Sequence, residues 1–232
     1  MKVEIWSDIV CPFCYIGKRN LEKALAETNM VASTEILWRS FELDPEAITN
    51  TEVSIYQHLA KRKGWTLEYS KQMHGHVAAM AKDAGLDYNF DNAFPVNSLR
   101  AHRLLHLALK RGVQDEFKEL LFKAHFTQGK NVDDFAILTE LANQAGLSNS
   151  EIKEILNSDR FADDVRKDVA RAREAGVRGV PYFVFNEHYA VAGAQPPEVL
   201  IRIIEEIKSK TGKKDVNPAS QTPDLCEPDG NC

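Results

Sequence analysis

Polar and apolar residues alternate from Lys2 to Asp8, the period of a half-buried strand. Val10-Cys11-Pro12 then opens a segment whose apolar positions Cys14, Gly17, Leu21, Ala24 and Leu25 fall on one helical face, and proline is suited to a first helical turn because its missing N–H costs nothing there. Ile36 to Leu43 reads as a second strand, with Trp38 and Ser40 on one face and Leu37, Phe41 and Leu43 on the other. Asp44-Pro45 ends it. From about Thr51 to Ala175 the texture changes to amphipathic helical segments broken by Gly64, Gly85, Gly112, Gly129 and Gly146, with no strand pattern. Strands return at Tyr182 to Phe185 and Tyr189 to Ala192, around a turn at Asn186-Glu187. A last helix after Pro196-Pro197 turns Leu200, Ile203, Ile204 and Ile207 inward.

The order is strand, helix, strand, helical block, strand, strand, helix. With the block set aside, a βαβ half followed by a ββα half is the order of a thioredoxin fold, in which the first two strands run parallel through a crossover helix. The expected architecture is therefore α/β, a thioredoxin fold with a large all-helical insertion between its halves. Residues 1–50 and 176–210 form the thioredoxin-fold domain, 51–175 the insertion, and 211–232 a polar tail with a second cysteine pair. That tail has almost no apolar residues and is expected to be flexible.

The 232 residues, 44% of them hydrophobic, can bury a core without disulfide staples. Net charge is -5, with both signs mixed along most of the chain, which argues against nucleic acid as a partner. No apolar run approaches the roughly 20 residues of a membrane span, and Met1-Lys2 leads straight into a strand without the features of a secretory signal. A cytoplasmic location is expected. In a reducing compartment a close cysteine pair is more often catalytic or metal-binding than structural.

Cys11-Pro12-Phe13-Cys14 falls where a strand ends and a helix begins. The unpaired N–H groups and positive dipole end of that helix favour a thiolate at Cys11, and the thiolate is the attacking species. Cys14, on the inward face of the same turn, is placed to resolve a mixed disulfide. The expected roles are an exposed nucleophile of lowered pKa at Cys11 and a buried resolving thiol at Cys14. The competing readings are buried structural cysteines, a zinc module completed by Cys226 and Cys232, or a non-enzymatic holdase. The tail pair is spaced by five residues around Pro-Asp-Gly turn chemistry, and it is also a candidate second redox pair. His102 and His106 stand one helical turn apart, but no Glu joins them in a zinc-binding pattern and no third ligand is evident. They are read as partly exposed or core-edge residues. No metal and no cofactor is expected.

Ser7-Asp8-Ile9-Val10-Cys11-Pro12-Phe13-Cys14-Tyr15-Ile16-Gly17, Phe41-Glu42-Leu43-Asp44-Pro45, Gly176-Val177-Arg178-Gly179-Val180-Pro181-Tyr182-Phe183 and Gly193-Ala194-Gln195-Pro196 resemble the DsbA-like oxidoreductases, in particular their cytosolic FrnE-like branch. The resemblance runs from the first strand to about Lys208. It implies an insertion lying over the active site, a cis Pro181 facing Cys11, and disulfide exchange with protein substrates or glutathione. Pro12, Phe13, Val180 and Pro181 would then bind substrate, and relatives with a C-terminal cysteine pair suggest a relay through Cys226 and Cys232. Chromene-carboxylate isomerases and kappa-class glutathione transferases are similar too, notably in Phe94-Pro95-Val96-Asn97-Ser98-Leu99-Arg100. They carry serine at the place of Cys11, so a glutathione-dependent isomerase or transferase is the alternative.

Overall fold

Strand β1 (Lys2–Ser7) pairs in parallel with β2 (Glu35–Ser40) and antiparallel with β3 (Tyr182–Phe185), which pairs with β4 (Tyr189–Ala192). The sheet order is β2-β1-β3-β4. The structure, a computed structural model, describes residues 1–211. A central position buries β1 on both faces despite its alternating sequence, and the polar member Glu4 is accommodated by ion pairs to Arg39 and Arg171. Crossover helix α1 (Pro12–Glu27) joins β1 to β2 and packs with α9 (Pro197–Thr211) on one face of the sheet. There Leu21, Ala24 and Leu25 share a core with Leu200, Ile204 and Ile207.

β2 ends at Ser40, three residues before the predicted Leu43. The reason lies in Asp8: its carboxylate accepts the Leu43 N–H at 2.8 Å, which draws the chain out of the sheet and over the end of β1. β2 is also an edge strand, whose unpaired backbone groups need cover. Gln114 supplies it with a two-way amide bridge, accepting from Trp38 N and donating to Trp38 O, both at 2.9 Å. Asp168 accepts the Ser40 N–H at 2.9 Å.

Between β2 and β3 run α2 (Ile55–Lys63), α3 (Leu67–Asp83), α4 (Leu99–Arg111), α5 (Gln114–Phe122), a π-helical turn (Lys123–Thr127), α6 (Phe135–Gln144), α7 (Asn149–Leu156) and α8 (Ala162–Glu174). No strand falls there among the described residues. Ser54, Thr66, Asp134 and Ser148 cap helices with their side chains, each cap worth about 1 kcal/mol. Gly64 and Gly112 end α2 and α4 at φ of 68° and 74°, which glycine adopts without the Cβ clash of other residues.

The block has a core of its own around Leu104, Phe117, Leu121, Leu138, Ile152 and Ile155. Ile9, two residues before Cys11, is buried in that core, so the loop between β1 and α1 is gripped by the insertion. No helix among the described residues is long and apolar enough to cross a membrane.

Candidate active site

Cys11 is the N-cap residue of α1, with extended backbone and no side-chain cap, and Pro12 occupies the first turn. Both cysteines are free thiols. Cys11 Sγ lies 3.4 Å from the Val180 carbonyl oxygen, to which the thiol donates, and the Val180-Pro181 bond is cis. This joins two segments 169 residues apart. Gly17 brings them together: a Cβ there would sit 3.0 Å from Pro181 Cγ and 3.1 Å from Phe183 Cζ, closer than an unshifted neighbour allows. Phe13 is 39% exposed beside the pair, and Pro12 and Val180 are half-buried.

One expectation is corrected. Cys11 is 2% exposed and Cys14 0%, so accessibility does not separate nucleophile from resolving thiol in this reduced state. Burial, then the hydrogen bond and charge of Cys14, then the Asp8 carboxylate, push the Cys11 thiol up, while the Cys14 N–H at the start of the helix pulls the other way. Sequence reasoning weighed the helix terminus and had no access to the burial. The core cluster that holds Cys11 also contains Leu86, Tyr88, Phe90, Phe122 and Phe126 of the insertion.

Asp8 is fully buried and receives only donors: Val10 N at 3.4 Å, Leu43 N at 2.8 Å and His102 Nε2 at 3.3 Å. Burial acts to lift its carboxyl, but the hydrogen bond and charge of His102, with the Leu43 and Ser98 hydrogen bonds, hold it below the usual carboxylate range. Its carbonyl accepts the Cys11 N–H at 3.3 Å, so Asp8 shapes the turn that carries the nucleophile. His102 and His106, read as partly exposed or core-edge residues, are both buried. His102 is 0% exposed, and its Nδ1 has no hydrogen-bond partner among the described residues. His106 Nε2 lies 3.2 Å from Ser40 Oγ and 3.4 Å from Asp168 Oδ2. α4 is covered by α5 and α8, and each histidine takes its own carboxylate. No cluster of three His, Cys, Asp or Glu residues placed to hold a metal occurs among the described residues.

Further side chains of the insertion reach the helix that carries the cysteines. Tyr88 donates to the Pro12 carbonyl at 2.7 Å, between the two cysteines. Glu119 accepts from Tyr15 at 2.6 Å and pairs with Arg19 and Lys18. Lys118, 1% exposed, lies with Nζ 4.7 Å from the Phe122 ring centroid and 5.3 Å from that of Trp38. Burial pushes its ammonium down to about 8, against the pull of Cys14, Asp8, Cys11 and Asp115. Buried His125 is pushed down to about 4. It lines a mainly apolar cavity of about 170 Å³ with Val10, Pro12, Phe94, Pro95 and Val96, and Arg62 and Asp44, paired at 2.8 Å, also line it. Cys226 and Cys232 lie outside the described residues.

The chain is similar to a probable DsbA oxidoreductase from Streptomyces coelicolor, at 34% identity and a TM-score of 0.84 over 99% of this chain and 97% of that one. A Bacillus subtilis protein, YwbO, is 28% identical over 90% of this chain and 98% of its own. The cytosolic disulfide reductase DsbM from Pseudomonas aeruginosa, solved alone and with glutathione, shares the fold at 14–15% identity. Without the ligand, its TM-score is 0.65 over 90% of this chain and all of that one. The family model of the DSBA-like thioredoxin domain matches residues 2–205. With that match spanning both halves of the sheet and the whole insertion, the chain belongs to the DSBA-like thioredoxin domain family.

Proposed function

We propose that this protein is a thiol-disulfide oxidoreductase that exchanges disulfides with protein or small-thiol substrates through Cys11 and Cys14. The observation that carries the reading is the placement of Cys11 Sγ at a helix N-terminus and against the Val180 carbonyl. In the reducing direction the Cys11 thiolate attacks a substrate disulfide, forming a mixed disulfide and releasing one substrate thiol. Cys14 then attacks Cys11 Sγ, releases the second thiol and leaves a Cys11–Cys14 disulfide. The reverse sequence oxidises a dithiol.

The substrate segment docks beside Val180, which lies ahead of the β3 ladder, with Phe13 and Pro12 as its apolar neighbours. The cavity next to Pro12 suits an apolar side chain flanking the reacting cysteine. Glutathione, present in a structure of DsbM, is the small-thiol candidate. A resting thiol with a raised pKa fits a nucleophile whose thiolate forms as a partner opens the site.

The test is a trap. Cys14→Ser removes the resolving thiol and leaves the attacking one, so incubation with a peptide disulfide should accumulate a mixed disulfide at Cys11, readable by intact mass. Cys11→Ser should accumulate none. Adducts forming equally well on Cys14 in the Cys11→Ser protein would reverse the roles.

A further inference from the structure

The cavity beside the cysteines has apolar walls and a polar inner end. Its volume of about 170 Å³ is close to the roughly 150 Å³ that accepts one benzene ring. Rings make up much of the wall, from Phe90, Phe94, Phe126, Pro12 and Pro95. Leu43 and Arg62 are exposed and mark the side open to solvent, whereas Val96, His74 and His125 are buried. Val10 and Pro12, the residues on either side of Cys11, both line the cavity, so an occupant sits next to the sulfur that undergoes exchange.

Two imidazoles distinguish this space from a packing void. His125 is 6% exposed, and among the described residues neither of its ring nitrogens has a hydrogen-bond partner. Of the buried side-chain polar atoms described, only His102 Nδ1 lacks both a partner and open space. The His125 nitrogens therefore border open space, and the cavity that His125 lines supplies it. His74 donates Nδ1–H to the Ser70 carbonyl at 2.7 Å, which leaves its Nε2 as an acceptor. Burial keeps both rings neutral near neutral pH, His125 being pushed down to about 4 and His74 below its usual value, so each ring has one N–H and one lone pair. The turn that carries His125, Lys123–Thr127, is π-helical, a geometry frequent at functional sites. A leucine would close the inner end without an unpaired polar group to desolvate.

We propose that the cavity is a subsite for a tyrosine side chain flanking the reacting cysteine of a peptide substrate, with its hydroxyl held by His125. The inference rests on the disulfide-exchange reading given above and narrows the side chain placed beside Pro12. A phenol ring matches the volume and the ring-lined walls, and its hydroxyl both donates and accepts, so it serves either tautomer of His125. Phenylalanine fills the same space but leaves the imidazole nitrogens dry and unpaired. The two fused rings of tryptophan exceed the volume.

The experiment is a competition. A limiting amount of the reduced full chain meets an equimolar set of peptides, each carrying its single cysteine as a disulfide with cysteamine. They differ only in holding Tyr, Phe, Leu or Ala at one position flanking the cysteine, and an early acid quench followed by mass counting gives their relative rates of reduction. At one flanking position the tyrosine peptide should be reduced ~10-fold faster than the phenylalanine peptide, with the alanine peptide slowest. His125→Leu should erase the preference for tyrosine over phenylalanine, and His125→Gln, which restores a hydrogen-bonding tip, should recover it. Ala47→Phe, at a half-buried position of the wall, should bring the tyrosine and phenylalanine peptides down to the rate of the alanine peptide. Each ratio is read within one mixture, so a general loss of activity does not imitate these results. Equal reduction of the tyrosine and phenylalanine peptides at every flanking position overturns the subsite and leaves the exchange reading standing. Shifts of the His125 ring signals on titration with p-cresol, without any preference among the peptides, would assign the cavity to a free phenol and overturn the proposal as well. Failure to reduce any peptide overturns the disulfide-exchange reading and this inference with it.

Discussion

Cys11→Ser is expected to lower turnover with a protein disulfide by on the order of a thousandfold or more, because removing the nucleophile of a covalent mechanism removes the path itself. A serine hydroxyl with the same N-cap geometry cannot form the mixed disulfide, and the residual rate should approach that of free thiol in the buffer. Folding should survive, since serine is smaller by little and keeps a donor toward the Val180 carbonyl. The same variant separates the alternative function. A glutathione-dependent isomerase or transferase of the serine-bearing kind should tolerate Cys11→Ser, and retained isomerisation of an aromatic substrate with lost disulfide exchange would move the assignment there. The measurement is insulin reduction in the presence of a thiol reductant, with the variant's urea midpoint as control.

Asp8→Asn is expected to destabilise the protein by about 3–5 kcal/mol at neutral pH, the usual cost of removing one partner from a buried, charged hydrogen-bond network. The carboxylate meets donors from Val10, Leu43 and His102 on its two oxygens. An asparagine amide replaces one acceptor with a donor and sets N–H against N–H. The pH dependence follows from the lowered carboxyl. A depressed folded-state pKa contributes stability that is fully present above the unfolded value near 4 and is lost as pH falls through the folded value. The gap between wild type and variant should therefore be widest above about pH 5 and close in more acidic solution. Urea unfolding at several pH values measures it, and a gap that does not depend on pH would mean that Asp8 is not an ionised acceptor.

The strands β3 and β4 were legible to the residue because their apolar pattern is bounded by proline, a turn and glycine, all local signals. The end of β2 was not, because a tertiary hydrogen bond from Leu43 to Asp8 removes its last residues from the ladder. The helical block and its break points could be read from period and glycine. Its role as a wall around the cysteines came from resemblance, since nothing local in Tyr88 or Glu119 points at Pro12 or Tyr15.

Lys118 carried a usable signal: it occupies the stripe Gln114, Phe117, Lys118, Leu121, where helical period calls for an apolar residue. A lysine on such a stripe marks either a snorkelling side chain or a buried charge, and only the packing of Trp38 and Phe122 decides which. His102 and His106 were noticed for their spacing, but their carboxylates come from β1's end and from α8. For Cys11, helix-terminus physics was visible in sequence, whereas the enclosure that opposes it depends on the fold.

The most direct test of the claim that Cys11 and Cys14 form a redox couple is equilibration of the protein with a graded series of reduced and oxidised glutathione, quenched and read by mass with peptide mapping. The expected result is a two-electron transition in which Cys11 and Cys14 lose two hydrogens together and become linked to each other, with glutathione adducts only as a minor species. A pair that stays reduced in the most oxidising mixture, or one that ends as separate glutathione adducts without an internal bond, would contradict it.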